Sequence, residues 1–304
     1  MSLRVIERFS KYCSDPLYRF KVMSLIGAYK HMDDTTYLKK FYMRAFDKKL
    51  NLENPKTFNE IIQWMKINDH NPLYTTLVDK YSVKKYVADK IGEEYVIPTI
   101  GVWNHAKDIN YNQLPDQFVL KCTHDSGGII ICKNKKNLDI NKTNLKLEKH
   151  LKRDFYYYSR EWPYKDVKRR IIAEPYLEDT LTGELRDYKF FCFNGDVKLL
   201  FVASGRQNKE IGTRFDFFDE KYNHLDLING YPNADTIPDK PQSFDRMLEI
   251  ARELSRGFKQ VRIDLYEVDG KTYFGEFTFY HFSGLVPFKP EVWDKKMGSW
   301  INLK

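Results

Sequence analysis

The sequence predicts an α+β fold with a helical N-terminal region. Three observations predict it. Apolar residues recur at helical spacing through residues 1–75, strand-like apolar runs and hairpin signals dominate the rest, and neither an internal repeat nor a low-complexity linker interrupts the chain. We therefore expect a helical region at 1–75, and the rest of the chain could form one large domain or two lobes, with any boundary at a hinge near 174–180.

Composition supports a globular chain. The 304 residues are 42% hydrophobic and 30% charged, and aromatic residues reach 15%, which suits a well-packed core with rings at clefts. The longest apolar runs, Ile129–Cys132 and Leu199–Ala203, are too short to span a bilayer. We found no signal-peptide pattern, and the four cysteines are scattered without CxxC spacing. These features predict a cytoplasmic protein, with peripheral association at the inner face of the membrane left open.

The net charge of +8 has three explanations: nucleic acid, an anionic membrane surface, or anionic small substrates. Nucleic-acid binders concentrate their charge, whereas the basic clusters at Lys133–Lys136 and Lys165–Arg170 are short. We expect no nucleic-acid partner. A solvated basic face and a negatively charged substrate both remain open.

The sequence predicts helices at three places: after Thr57, at residues 79–92 and at residues 243–258. Thr57 and Glu60 form a capping box ahead of an apolar stripe at helical spacing. Residues 79–92 are amphipathic and end at Gly92, a C-cap candidate, and residues 243–258 follow Ser243, an N-cap candidate.

Strand signals occupy the remaining segments. Residues 95–102 form a short run, residues 117–133 two strands around a tight loop, and residues 170–177 another strand. Residues 187–204 read as a hairpin through Asn194-Gly195, and a last hairpin covers residues 260–279.

Phosphate-binding chemistry is indicated around the first two strands. Lys121 ends a strand and is followed by Ser126-Gly127-Gly128, whose backbone N–H groups could approach phosphate oxygens. The spacing is not that of a Walker A loop, and a glycine pair between strands is usually only a turn. Lys80 opens the 79–92 helix, where a lone lysine is ordinarily a surface residue. Ala173–Leu177 leaves a strand and offers backbone groups to an adenine edge, or is an ordinary strand end.

Two carboxylates in the last hairpin could hold Mg²⁺ between protein and phosphates: Asp264 and Glu276. A two-residue Asp-Gly turn would pair residue 264 with residue 275, so we predict a three-residue loop at 269–271, or an equivalent bulge, that sets Asp264 opposite Glu276. Thr278 then shares the face of Glu276. The alternative is two exposed carboxylates, against which the neighbouring phenylalanines argue.

Taken in order, the segments LNLENPKTFNE, FVLKCTHDSGG, EPYL, RDYKFFCFNGDVK and VRIDLYEVDGKTYFGEFTFY resemble the ATP-grasp superfamily, and its TupA-like branch in particular. That branch is named for teichuronopeptide synthesis and is often labelled glycosyltransferase. The likeness runs from roughly residue 40 to the end. It implies an ATP-grasp fold, in which two α+β lobes clamp a nucleotide, with ATP and Mg²⁺ as cofactors. The first lobe with its linker would cover residues 76–177, and the second lobe, with the metal-binding hairpin, residues 178–304.

The resemblance also implies residue roles. Lys80 would reach the nucleotide phosphates and Lys121 the α/β-phosphates, and the acid Asp187 would hold the ribose, although residues 178–186 look like an insertion. Many ATP-grasp enzymes have Glu-x-Asn at the second metal position, where this chain has Glu276-Phe277-Thr278. The remaining implied roles are a closing loop at Ser126, Gly127 and Gly128, an adenine connector at Glu174, Pro175, Tyr176 and Leu177, and metal ligation by Asp264, Glu276 and Thr278.

The leading functional hypothesis is ligation: ATP activates a carboxylate as an acyl phosphate, which an amine then attacks. Candidates for steadying the acyl phosphate or an acidic substrate are Lys189, Arg206 and Arg214, each of which could equally be a surface residue. The family context suggests a sugar acid or an amino acid in surface-polysaccharide biosynthesis as substrate, and association with enzymes of that synthesis. A kinase on the same site, a nucleotide-sugar glycosyltransferase and a non-catalytic anion-binding protein are the alternatives.

Overall fold

A computed structural model describes residues 3–206, 210 and 212–303. Within these residues the α-helices are α1 Leu3–Ser14, α2 Pro16–Leu25, α3 Asp34–Phe46, α4 Phe58–Asn68, α5 Leu73–Val78, α6 Val83–Ile91, α7 Ile140–Leu151, α8 Phe155–Ser159, α9 Phe244–Ser255 and α10 Val292–Ser299. The strands are β1 Gly101–Trp103, β2 Phe118–Cys122, β3 Ile129–Cys132, β4 Ile171–Pro175, β5 Asp187–Phe193, β6 Asp196–Ser204, β7 Arg214–Asp219, β8 Ile228–Asn229, β9 Gln260–Val268, β10 Lys271–Thr278 and β11 Phe288–Lys289.

The strands described pair into two main antiparallel sheets. The smaller sheet has the order β1-β4-β2-β3, and the larger one has the order β10-β9-β5-β6-β7. A short ribbon joins β8 to β11. Each main sheet has its own hydrophobic core: α7 packs on the smaller sheet, and α4, α5, α6 and α9 contribute to the core of the larger one.

The helical N-terminal region is present, as predicted. Its capping box is complete, because the Thr57 hydroxyl accepts from the Glu60 N–H while the Glu60 carboxylate accepts from the Thr57 N–H. A third core, built around Phe20, Tyr37 and Phe41, joins α2 and α3 and reaches Leu285. None of the helices within 3–206 and 212–303 is both long and apolar enough to cross a membrane.

Two predicted elements begin later than expected. The helix predicted at 79–92 starts only at Val83, because the Asp79 carboxylate accepts from the Tyr81 N–H and the Ser82 hydroxyl and so holds a turn ahead of it. Gly92 does end it, with φ +114°. The strand predicted at 95–102 is confined to β1. Ser243 precedes α9, but its N–H and hydroxyl are both donated to Glu267 across the sheet.

Both hairpins turn in two residues with left-handed backbone. Asn194 and Gly195 both have left-handed φ, 51° and 82°, as the predicted two-residue hairpin requires. The last hairpin also turns in two residues, since Lys271 pairs with Val268, so the predicted three-residue loop is wrong. The equivalent bulge is present instead: the ladder shifts between Phe274 and Glu276, and Glu276 then lies opposite Asp264.

Candidate active site

A cleft lies between the two main sheets. It consists of a larger cavity of about 410 Å³ and a smaller one of about 110 Å³, which share Lys121 and Glu174 from the smaller sheet with Asp187 and Tyr266 from the larger sheet. Apolar residues and the segment Glu174–Leu177 line the larger cavity. Lysines and Glu276 line the smaller one. The cleft therefore has an apolar end and a charged end.

Two lysines form salt bridges with one buried carboxylate at the charged end of the cleft. Lys121 Nζ and Lys84 Nζ each lie 2.5 Å from an oxygen of Glu174, whose side chain is 5% exposed. Lys84 Nζ also donates to the Ile97 carbonyl at 2.7 Å. Burial raises the pKa of Glu174, but the charges of Lys121 and Lys84 outweigh it, so this pKa lies below its ordinary value. Glu174 is thus an ionised counter-ion between two cations that face the cleft.

Lys80 joins them from the turn before α6. Its N–H donates to the Thr123 carbonyl, and its ammonium donates to the Asp125 carbonyl at 3.2 Å. Lys80 and Lys84 are four residues apart, and both line the smaller cavity. The turn thereby holds Lys80 against the β2–β3 loop.

The β2–β3 loop contains the predicted glycine motif. Ser126 and Gly127 are exposed and Gly128 is buried, where an added Cβ would come within 2.9 Å of the Cys122 side chain. Gly127 has φ +108°, which favours glycine. Beneath the loop the buried carboxylate of Asp125 is bonded to His150. None of Ser126, Gly127 and Gly128 lines either of the two cavities of the cleft.

A row of charged side chains crosses three strands of the larger sheet. Lys189 on β5 lies opposite Asp264 on β9, which lies opposite Glu276 on β10. Lys189 Nζ is bonded to Asp264 and lies 3.3 Å from Asp187 Oδ1. Arg206 is bonded to the other oxygen of Asp187 and lines both cavities. Burial lowers the pKa of Lys189, and Asp264 partly opposes that effect.

Arg262 completes the environment of Asp264. Its Nε and Nη2 donate to the two carboxylate oxygens at 2.7 and 2.8 Å. Burial raises the pKa of Asp264, but Arg262 and Lys189 outweigh it and leave the pKa below its ordinary value. Arg262 Nη2 also donates to the Thr278 hydroxyl at 2.9 Å, so Thr278 contacts this arginine rather than either cavity.

Two further placements bear on the predicted residues. Pro175, Tyr176 and Leu177 line the larger cavity, with the Tyr176 hydroxyl bonded to Glu178. Arg214 begins β7, donates to the Thr213 carbonyl and lines neither cavity of the cleft. The structure does not bring Arg214 to the other predicted site residues.

Comparison with known families identifies the family of this chain. The family described as TupA-like ATPgrasp matches residues 60–302. The chain belongs to the TupA-like ATP-grasp family. The match confirms the resemblance and the ATP-grasp fold that the sequence predicts.

Solved structures are similar at low identity. D-alanine–D-alanine ligase from Helicobacter pylori is 12% identical, with a TM-score of 0.44 over 81% of this chain and 69% of that chain. L-amino acid ligase from Bacillus licheniformis is 13% identical, with a TM-score of 0.45 over 84% and 57%. The ATP-grasp ligase PsnB, with minimal precursor, Mg and ADP, is 10% identical, with a TM-score of 0.40 over 83% and 64%.

The TupA-like chain therefore spans between 57% and 69% of these three proteins. No curated protein matches it in sequence.

Sequence reasoning missed two cations of this ATP-grasp cleft. Arg262 stands two residues before Asp264 on a strand, so the period of two put both side chains on one face and could have found it. Lys84 stands one helical turn after Lys80, and that spacing was the available signal. The ion pairs that both make are tertiary contacts across the fold.

His281 lies behind Arg262. Arg262 Nη1 lies 2.5 Å from His281 Nδ1, and His281 Nε2 lies 2.8 Å from the Asn229 side-chain oxygen. A guanidinium has only donors, so Nδ1 accepts and Nε2 carries the proton. Burial first, and then the charges of Arg262 and Lys189, hold the pKa of His281 well below its ordinary value. The neutral ring orients Arg262.

Proposed function

We propose that the protein is a carboxylate–amine ligase that works through an acyl phosphate. The observation that carries this proposal is the convergence, in one cleft between two sheets, of Lys80, Lys84 and Lys121 with the row that ends at Glu276. Transfer of a phosphoryl group depends mainly on positioning and on neutralisation of charge. These side chains could supply both.

The cleft fits a nucleotide in one orientation. The apolar end, beside Pro175, Tyr176 and Leu177, suits a base, for which the backbone of the connector offers hydrogen-bonding groups. Asp187, which lines both cavities, suits the ribose. The lysines at the charged end suit the phosphates.

The residues present fit Mg²⁺ only if phosphate oxygens share in holding it. The described residues contain no group of three His, Cys, Asp or Glu side chains that could hold a metal ion alone. Glu276 lines the smaller cavity and lies opposite Asp264, and Mg²⁺ commonly takes one or two carboxylates together with substrate phosphates. Asp264 lines neither cavity, and both of its oxygens accept from Arg262 or Lys189, so it would ligate the ion only in exchange for one of these bonds. When bound, the ion would neutralise phosphate charge during transfer. Thr278 is bonded to Arg262, which favours an arrangement in which it orients that arginine.

Lys189 is suited to the reacting groups. It is a buried cation on Asp264 that lines the smaller cavity, whereas Arg262, the second cation on Asp264, lines neither cavity and orients that carboxylate. The ammonium of Lys189 can hold a carboxylate and then the acyl phosphate formed from it. An amine that attacks this acyl group would displace phosphate. Arg206, half exposed at the mouth, suits the recognition of an acidic substrate.

We propose a sugar acid or an amino acid as the carboxylate substrate and surface-polysaccharide biosynthesis as the setting, with a separate amine donor. The support is the chain's family together with its positive charge, which suits an anionic glycan. The cytoplasmic location and an association with enzymes of that synthesis belong to the same proposal.

The test is release of ADP by the purified protein with Mg-ATP, screened against uronic-acid glycans and amino acids. We expect one acid and amine pair to stimulate release and to yield an amide. Glu276→Ala should abolish the stimulated release while leaving the melting temperature close to that of wild type, and Glu220→Ala, an exposed carboxylate far from the cleft, should change neither. Unaltered turnover in Glu276→Ala would refute the metal role.

The same screen separates the rivals. A stable phosphorylated product without an amide would identify a kinase. Protection from heat by UDP-sugars, but not by Mg-ATP, would instead support a glycosyltransferase.

A further inference from the structure

The positive charge of the chain is concentrated at one end. Residues 1–49 hold eleven lysines and arginines against five aspartates and glutamates, so they carry +6 of the chain's +8. The family match begins only at residue 60. The charge that dominates the whole molecule therefore lies outside the segment that the family shares and apart from the cleft.

Helix α1 is the outermost layer of this region. Of its side chains described at residues 7–14, Tyr12 alone is partly buried, and its hydroxyl bonds to Met23 on α2. Arg8, Phe9 and Lys11 are exposed, and Phe9 is 67% exposed. Phe9, a large ring between two cations, thus lies exposed on α1, which contacts α2 through the Tyr12 hydroxyl and through Arg19, whose guanidinium donates to the Tyr12 and Cys13 carbonyls.

The end of α2 repeats this combination. Leu25 and Ile26 are 53% and 71% exposed, ahead of a turn at Gly27 with φ +83°. Arg19 within α2 and Lys30 after it are also exposed. Neither apolar residue belongs to the core that holds α2 and α3 together, which is built on Phe20.

We propose that α1 and α2 bind the surface of an anionic lipid membrane. Exposed aromatic and aliphatic side chains enter the boundary between headgroups and acyl chains, while neighbouring lysines and arginines meet anionic headgroups. The described residues contain no helix that could span a bilayer, so binding is at the surface. The observations favour lipid over a soluble polyanion, because cations alone would suffice for a polyanion and would not need Phe9, Leu25 and Ile26 outside.

Cosedimentation of the full chain with vesicles tests the proposal. Vesicles of phosphatidylcholine alone are compared with vesicles that also contain phosphatidylglycerol, at low and high salt. We expect binding to the anionic vesicles at least about tenfold tighter than to the neutral ones, and weaker in high salt. The double variant Phe9→Glu with Ile26→Glu should reduce the bound fraction several-fold, and Arg8→Glu with Lys11→Glu should do the same.

Leu145→Glu is the matched control, because Leu145 is 74% exposed on α7, away from the N-terminal helices. It should bind vesicles as wild type does, and all variants should keep the wild-type melting temperature, since every substituted side chain is exposed. Equal binding to both vesicle types, no binding to either, or equal loss in Leu145→Glu would overturn the proposal. Binding that needs the arginine and lysine but not Phe9 and Ile26 would also overturn it, and would indicate a soluble polyanion.

Discussion

Buried ion pairs fix the charged side chains around the cleft, because burial keeps water from solvating their partners. Lys121 and Lys84 share Glu174, and Lys189 and Arg262 share Asp264. A buried ion pair is costly to break because the partner left behind stays charged and desolvated. The positions of the lysines are therefore set before any ligand binds, which reduces the cost of ordering them on binding.

Substitution of Glu174 tests whether this carboxylate positions the two lysines, because positioning and net charge predict opposite changes in the affinity for Mg-ATP. Removing a carboxylate near a polyanionic nucleotide should tighten binding if net charge alone mattered. Because Glu174 holds Lys121 and Lys84 in place, we expect Glu174→Gln to weaken the binding of Mg-ATP instead, by about tenfold or more. Calorimetric titration measures this. Glu178→Gln, an isosteric change on the exposed part of the same connector, is the control. Tighter binding in Glu174→Gln would contradict the positioning role.

His281 should make stability depend on pH. The unfolded chain takes up a proton on this histidine as the pH falls through about 6.5, whereas the folded chain does not, because its pKa lies well below that value. The stability that depends on the neutral ring is therefore present above pH 6.5 and is lost below it. Between about pH 6.5 and 5.5 wild type should lose roughly 1 kcal/mol more than His281→Asn.

Urea unfolding of the nucleotide-free protein at each pH measures that difference. His31→Asn, which changes an exposed histidine, should leave the pH dependence of wild type unaltered. Parallel pH profiles for wild type and His281→Asn would show that the ring is not held neutral.

The helices and strands could be predicted from local sequence where the residue types of a turn or cap determine where an element ends. Asn194-Gly195 determined its hairpin because both residues accept left-handed backbone. The last hairpin shows the limit. Asp269-Gly270 also form a two-residue turn, and the bulge at Gly275 restores the pairing of Asp264 with Glu276. A Cβ atom at position 275 would lie 3.0 Å from the Asp264 carbonyl oxygen, which favours glycine there. No local signal other than glycine itself marks such a bulge.

The candidate site also has one part that local sequence predicts and another that depends on tertiary contacts. Strand periodicity places Lys189, Asp264 and Glu276 in one row, so that part could be predicted from the sequence. The attachment of Lys84 to Glu174 joins a helix to a strand of the other sheet and depends on tertiary packing, which no local pattern encodes. Arg214, which lines neither cavity of the cleft, stays a prediction, since strand position alone does not show which end of a strand faces the cleft.

The whole molecule has two unequal cores with the cleft between them. Among the described residues, the core of the smaller sheet has twelve buried hydrophobic residues and that of the larger sheet has 42, so the smaller sheet should open locally at lower cost. Lys84 to Glu174 and the Val96–Phe274 bridge link the two sides. A ligand that contacts both sheets would add to these links.

We therefore expect hydrogen exchange in the nucleotide-free protein to be faster in β2 and β4 than in β5 and β9. Saturating Mg-ATP should slow exchange in β2, β3 and β4 most, because a ligand at about 100 times its dissociation constant stabilises the bound state by about 2.7 kcal/mol. Exchange mass spectrometry with and without Mg-ATP measures both effects, and Lys121→Ala should lose the protection at matched nucleotide concentration. Uniform slowing across both sheets, or none in the smaller sheet, would mean that the nucleotide does not join the two cores.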